Sequence, residues 1–145
     1  MNSYNYKIMD MTFRRTIPAR PVEVYDAWLS TETPGNPWHG ADKAIFEPKT
    51  GALFYFLRSK DGTETAHYGR FAALDRPHKA QLTWMSPYTR GLESVVTVTF
   101  EAKGEDTVLT LNHANLPDDD FGRLHELGWG MCLAPFTDHF IAKRA

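Results

Sequence analysis

Six histidines and a single cysteine are the residues of this chain best suited to chemistry. His39, His67, His78, His113, His125 and His139 are scattered. No two of them form a His-x-x-x-His pair on one helix beside a suitably placed carboxylate, the arrangement a zinc site needs. There is no glycine-rich phosphate loop, and Cys132 lacks the flanking sequence of a nucleophile, so its thiol reads as a small core residue. These residues imply no metal and no cofactor. The best polar candidate is His113, which falls on the same strand face as Leu109 and Leu111 and so points into an apolar interior. A buried imidazole needs a partner for each nitrogen, or its charged form is disfavoured. His113 is therefore either a satisfied structural histidine, or a ligand contact or general base.

The elements that must position these residues are mostly strands. Period-two patterns bounded by turn residues predict strands over 11–17, 42–48, 52–59, 65–74, 80–85, 92–102 and 107–114. Lys60-Asp61-Gly62-Thr63 carries an Asp-Gly hairpin signal. Residues 19–29 read as a first helix with Pro21 in its first turn, and Val24, Trp28 and Leu29 facing the core. A long helix is predicted over 118–141. Three aspartates stand at its positive end and Lys143 and Arg144 at the other. Its apolar stripe runs Phe121, Leu124, Gly128, Met131 or Cys132, Pro135 or Phe136, and Phe140. Pro135 predicts a kink or break near 133–135, either a bend that follows a curved sheet or a hinge.

Short turns between evenly spaced strands imply an antiparallel sheet in sequential order, and the two helices make the class α+β. Parity turns Leu82, Trp84, Val96, Val98, Phe100, Leu109, Leu111 and His113 toward the long helix. For strands 52–59 and 65–74 both faces are mixed, and the facing of Phe54, Phe56, Arg58, His67 and Tyr68 stays open. Arg58, His67 and Glu64 flank the hairpin and read as solvated tips.

One domain spanning 1–145 is expected, with 1–10 a poorly defined lead: disordered, or a short extra edge strand. Nine Phe, six Tyr and four Trp suit a sheet-helix core or a lined cavity. A net charge of −2 without a basic block points away from nucleic acid. One thiol and the lack of a long apolar run suggest a cytoplasmic protein away from membranes. Sheet edges leave a homodimer open.

Residues 13–28, from Phe13-Arg14-Arg15-Thr16-Ile17-Pro18 to Tyr25-Asp26-Ala27-Trp28, resemble the opening strand and first helix of the SRPBCC superfamily, which includes START and birch-pollen-allergen-like domains. Gly69-Arg70-Phe71 with Pro77 and Leu82-Thr83-Trp84 resembles its middle hairpin. Residues 107–117 and Gly128-Trp129, four residues before Leu133, are similar to the subgroup named after the activator of the heat-shock-protein-90 (Hsp90) ATPase. The resemblance covers 11–140. It implies a helix-grip fold, a seven-stranded antiparallel curved sheet wrapped round a long C-terminal helix, with a hydrophobic cavity between them.

The leading expectation is a module that binds a small hydrophobic or aromatic molecule in that cavity. Its candidate contacts are Trp38, Tyr55, Tyr68, Trp84, Val98, Leu111, His113 and Trp129. Trp84 and Trp129 either pack between sheet and helix or line the cavity, and Trp38 is a plug or a gate at its mouth. Tyr55 and Tyr68 supply hydroxyls only if they face inward. An alternative is a cyclase- or hydrolase-like enzyme using His113 as acid or base, an analogy drawn from the fold. The second alternative is stimulation of a chaperone ATPase. The chain is short for that role, because the eukaryotic co-chaperone that names the subgroup has a separate N-terminal domain making the main chaperone contacts.

Overall fold

The strongest alternation in the chain, Ser94-Val95-Val96-Thr97-Val98-Thr99-Phe100, becomes an interior strand of the sheet, with Ser94, Val96, Val98 and Phe100 all buried. The structure is a computed structural model that describes residues 7–144. Its elements are β1 (Ile8–Ile17), α1 (Pro21–Trp28), β2 (Lys43–Ile45), β3 (Leu53–Lys60), β4 (Thr63–Asp75), β5 (Lys79–Trp84), β6 (Ser94–Lys103), β7 (Asp106–Pro117) and α2 (Asp120–Arg144). A short 3-10 turn, Pro87–Thr89, precedes β6.

The fold is an α+β helix-grip: one curved, seven-stranded antiparallel sheet with the long helix on its inner face. The strand order is β1-β7-β6-β5-β4-β3-β2. Strands β2 to β7 run in sequence as expected, but β1 departs from that order and closes the far edge against β7, pairing Phe13 with Leu111 and Ile17 with Thr107. It begins at Ile8, so part of the expected lead is strand, while residues 1–6 lie outside the described residues. The strand expected over 42–48 is reduced to three exposed residues.

Asp119 caps α2 by accepting the Gly122 N–H at 3.0 Å. The helix start presses on the end of β7 so closely that a Cβ at Gly122 would overlap the Pro117 carbonyl oxygen. The face α2 buries is Gly122, His125, Trp129, Leu133, Phe136 and Phe140. This corrects the predicted stripe, in which Phe121, Leu124 and Met131 are exposed. Helix α2 is apolar on more than one side, and periodicity cannot choose between sides. The helix also continues through Pro135 without the break the sequence suggests. Pro135 has no N–H to give Met131, yet that turn is exposed and Thr137 Oγ1 donates to the Leu133 carbonyl at 2.7 Å. Helix α1 buries Val24, Tyr25 and Trp28, with Trp28 against Phe136 at a ring separation of 5.3 Å.

Candidate functional site

Between the free end of the sheet and α2 lies a cavity of about 500 Å³. Four segments wall it: the loop after α1, the inner faces of β3, β4 and β5, Tyr88 of the 3-10 turn, and one side of α2.

The loop is held from within by Asn36, which is only 2% exposed. Its Nδ2 donates to the carbonyls of Ala27 and Ser30, and its Oδ1 accepts from the N–H groups of Trp38 and His39. Gly35 (φ +91) touches α2 so closely that a Cβ there would overlap Cys132 O and Phe136 N. Arg58 ties the same loop to the sheet through Nη2, which donates to the carbonyls of Pro37 and of His39 (2.9 Å).

The sheet wall follows from the hairpin. The Asp61-Gly62 turn pairs Lys60 with Thr63, and this sets Phe56 opposite His67. Phe54 and Phe56 are buried, so His67 and Arg58 share the inner face with them. The His67 ring stacks on Phe56 at 4.7 Å and 3°, and Trp84 stands 5.2 Å from His67 and 5.1 Å from Trp129. On α2 the lining comes from Leu124, His125, Leu127, Gly128, Trp129, Met131, Cys132 and Pro135.

Beneath this surface runs a closed hydrogen-bond chain. Trp129 Nε1–H donates to His113 Nδ1 at 2.9 Å, so the imidazole proton sits on Nε2 and donates to Ser94 Oγ at 2.8 Å. The Ser94 hydroxyl donates to the Trp84 carbonyl. Burial holds the pKa of His113 well below its ordinary value, and the neighbouring His125 adds to this. With both nitrogens engaged and the residue 0% exposed, this geometry corresponds to the satisfied structural histidine rather than to an acid or base open to substrate.

The other two inner histidines differ. His125 Nδ1–H donates to the Gly122 carbonyl at 2.9 Å, leaving Nε2 without a partner among the described residues. His67 Nδ1 and Trp84 Nε1 also have no partner among the described residues. Burial pushes His67 down to about 4, with His125 and Arg58 contributing repulsion. Burial also lowers His125, against the pull of its backbone hydrogen bonds, and pushes the Cys132 thiol up to about 11.

Of the eight expected contacts, Trp84 and Trp129 line the cavity. Trp38 is buried against Phe46, Phe54 and Phe71 and is not part of the cavity lining. Val98, Leu111 and His113 are buried in the core away from the cavity wall. Tyr55 and Tyr68 are paired on the opposite face of the sheet, where Tyr68 is 46% exposed, because Phe54 and Phe56 take the inward positions. The sequence reading missed Phe56, Arg58, His67 and His125, and Arg58 and His67 are cavity wall rather than solvated tips. The two-residue turn was the signal for the first three: it fixes which residues of the hairpin share a face.

Among the described residues no three His, Cys, Asp or Glu side chains gather as a metal site, and no helix is long and apolar enough to cross a membrane. No curated protein matches the chain in sequence. Its fold is shared with solved structures at low identity. A Staphylococcus aureus protein of unknown function, SA2116, aligns at a TM-score of 0.81 and 11% identity over 98% of this chain and 99% of that one. CV1439 from Chromobacterium violaceum gives 0.75 and 19%, over 90% and 96%. PFC0360w, an HSP90 activator from Plasmodium falciparum, gives 0.67 and 22%, over 92% and 91%. The family model for activator of Hsp90 ATPase homolog 1-like proteins matches residues 18–140, and the chain belongs to that family.

Proposed function

We propose that the protein binds one small, largely apolar aromatic molecule in the cavity between the sheet and α2. The observation that supports this reading is a space of about 500 Å³ whose lining is mostly apolar, with Phe56, Trp84, Trp129 and apolar side chains of α2 in its walls. A cavity of that size and lining is typical of small-molecule sites. Burying apolar surface contributes roughly 25 cal/mol per Å², enough to hold a two-ring ligand without any reaction. Native mass spectrometry of the purified chain and quenching of tryptophan fluorescence by two-ring aromatics test it. Saturable quenching that Trp84→Phe diminishes supports the reading; no saturation by any probe that fits the space refutes it.

A second reading, stimulation of an Hsp90-type ATPase, is favoured by the family to which the chain belongs. The exposed apolar row Leu124, Leu127 and Met131 on α2 is the surface it would use. Adding the chain to purified Hsp90 and following ATP hydrolysis decides it, since an unchanged rate removes this alternative.

A further inference from the structure

The ionisable side chains of the cavity wall are unbalanced. Arg58, His39, His67, His125 and the un-ionised Cys132 line it together with Tyr88, and no aspartate or glutamate does. Arg58 carries a permanent charge. No ion pair among the described residues involves it. Its Nη2 is taken by two loop carbonyls, which do not neutralise it, while Nε and Nη1 make no hydrogen bond among the described residues. The guanidinium carbon lies 5.5 Å from the Phe56 ring centre, beside the aromatic floor. Its field reaches across the cavity: it opposes a proton on His67 of β4 and favours ionisation of Cys132 on α2.

A half-buried guanidinium without a carboxylate, at the edge of an aromatic chamber, is suited to an anionic group attached to a flat apolar body. We infer that the cavity takes an aromatic carboxylic acid, with the carboxylate on Arg58 and the ring system among Phe56, Trp84 and Trp129. This inference rests on the cavity-binding reading above. His67 on β4 and His125 on α2, each with an unpartnered ring nitrogen among the described residues, face each other from the sheet and helix walls.

The test compares 2-naphthoate with its neutral isostere 2-naphthamide at pH 7.5, by calorimetry and tryptophan quenching. The variants are wild type, Arg58→Met and Arg58→Lys, each checked by circular dichroism. The wild type binds naphthoate about tenfold or more tightly than naphthamide, as expected for a charge-assisted pair. In Arg58→Met the preference disappears while the amide affinity stays, and Arg58→Lys keeps part of the preference. Equal binding of the two probes by wild type overturns the inference and leaves the cavity reading standing. So does a preference that survives Arg58→Met, or an equal loss of both probes in that variant, which would make Arg58 only a strut for the loop. Binding of neither probe by wild type overturns this inference, and the cavity reading falls with it when no other two-ring aromatic gives saturable quenching.

Discussion

The indole N–H of Trp129 and Nδ1 of His113 meet at 2.9 Å beneath the cavity floor. This contact fixes the histidine as the Nε2–H tautomer and uses the nitrogen that would otherwise take up a proton. Both ring nitrogens are engaged, and the ring links Trp129 on α2 through Ser94 to the Trp84 carbonyl at the end of β5.

Trp129→Phe removes that donor and leaves Nδ1 buried and unpaired. Urea unfolding is expected to show a loss of about 1–3 kcal/mol, the usual cost of an orphaned buried polar group. The His113 pKa, followed by NMR, is expected to rise in the variant because the ring can now protonate at Nδ1. An unchanged pKa together with unchanged stability would falsify the closed-chain account.

Three inner histidines, His67, His113 and His125, have pKa values below 6.5 in the folded state, His67 at about 4. In the unfolded chain they return to about 6.5. The unfolded state therefore binds more protons as pH falls below 6.5, so stability is full above that value and is lost as pH drops toward 4. Each histidine contributes a slope of roughly 1.4 kcal/mol per pH unit while only its unfolded form is protonated. Denaturation midpoints of wild type and His67→Gln between pH 7 and 4.5 measure this, and the variant should show the shallower dependence. Parallel curves would sink the assignment of His67 as a buried neutral ring.

Gly35 and Gly51 have nearly the same backbone angle, φ +91 and +88, but only Gly35 faces α2. Gly51→Ala is expected to cost about 1–2 kcal/mol, the strain of a left-handed residue with a Cβ. Gly35→Ala adds a clash with the helix backbone and should cost several kilocalories more, or unfold the loop from α2. Equal penalties in thermal unfolding would mean that the loop does not rest on the helix as described.

Cys132 lines the cavity and burial pushes its thiol up to about 11. At pH 7.5 iodoacetamide should alkylate the folded chain roughly a hundredfold more slowly than the urea-unfolded one, because the thiolate is the nucleophile. A bound aromatic ligand should slow it further. A folded-state rate equal to the unfolded rate would contradict both the burial and the location.

Alternation along β5, β6 and β7 was enough to read that Trp84 and His113 point inward, since polar residues mark the other face and the side-chain period is two. The hairpin of β3 and β4 was harder, because Phe54 and Phe56 alternate with Tyr55 and Leu57, and either pair could be core. Helix α2 posed the same problem. Its sequence is apolar toward both Leu124 and Leu133, and burial goes to the side that the sheet covers.

What the sequence determined by itself was the set of elements, their type and the inward parity of the central strands. These depend on local periods and turn residues, which neighbouring positions carry in full. Tertiary structure decided that β1 crosses to β7, that Arg58, His67 and His125 meet across a cavity, and that His113 lies sealed beneath it. Such relationships join residues far apart in the chain, and they exist only once the sheet curves and the helix settles on one of its apolar sides.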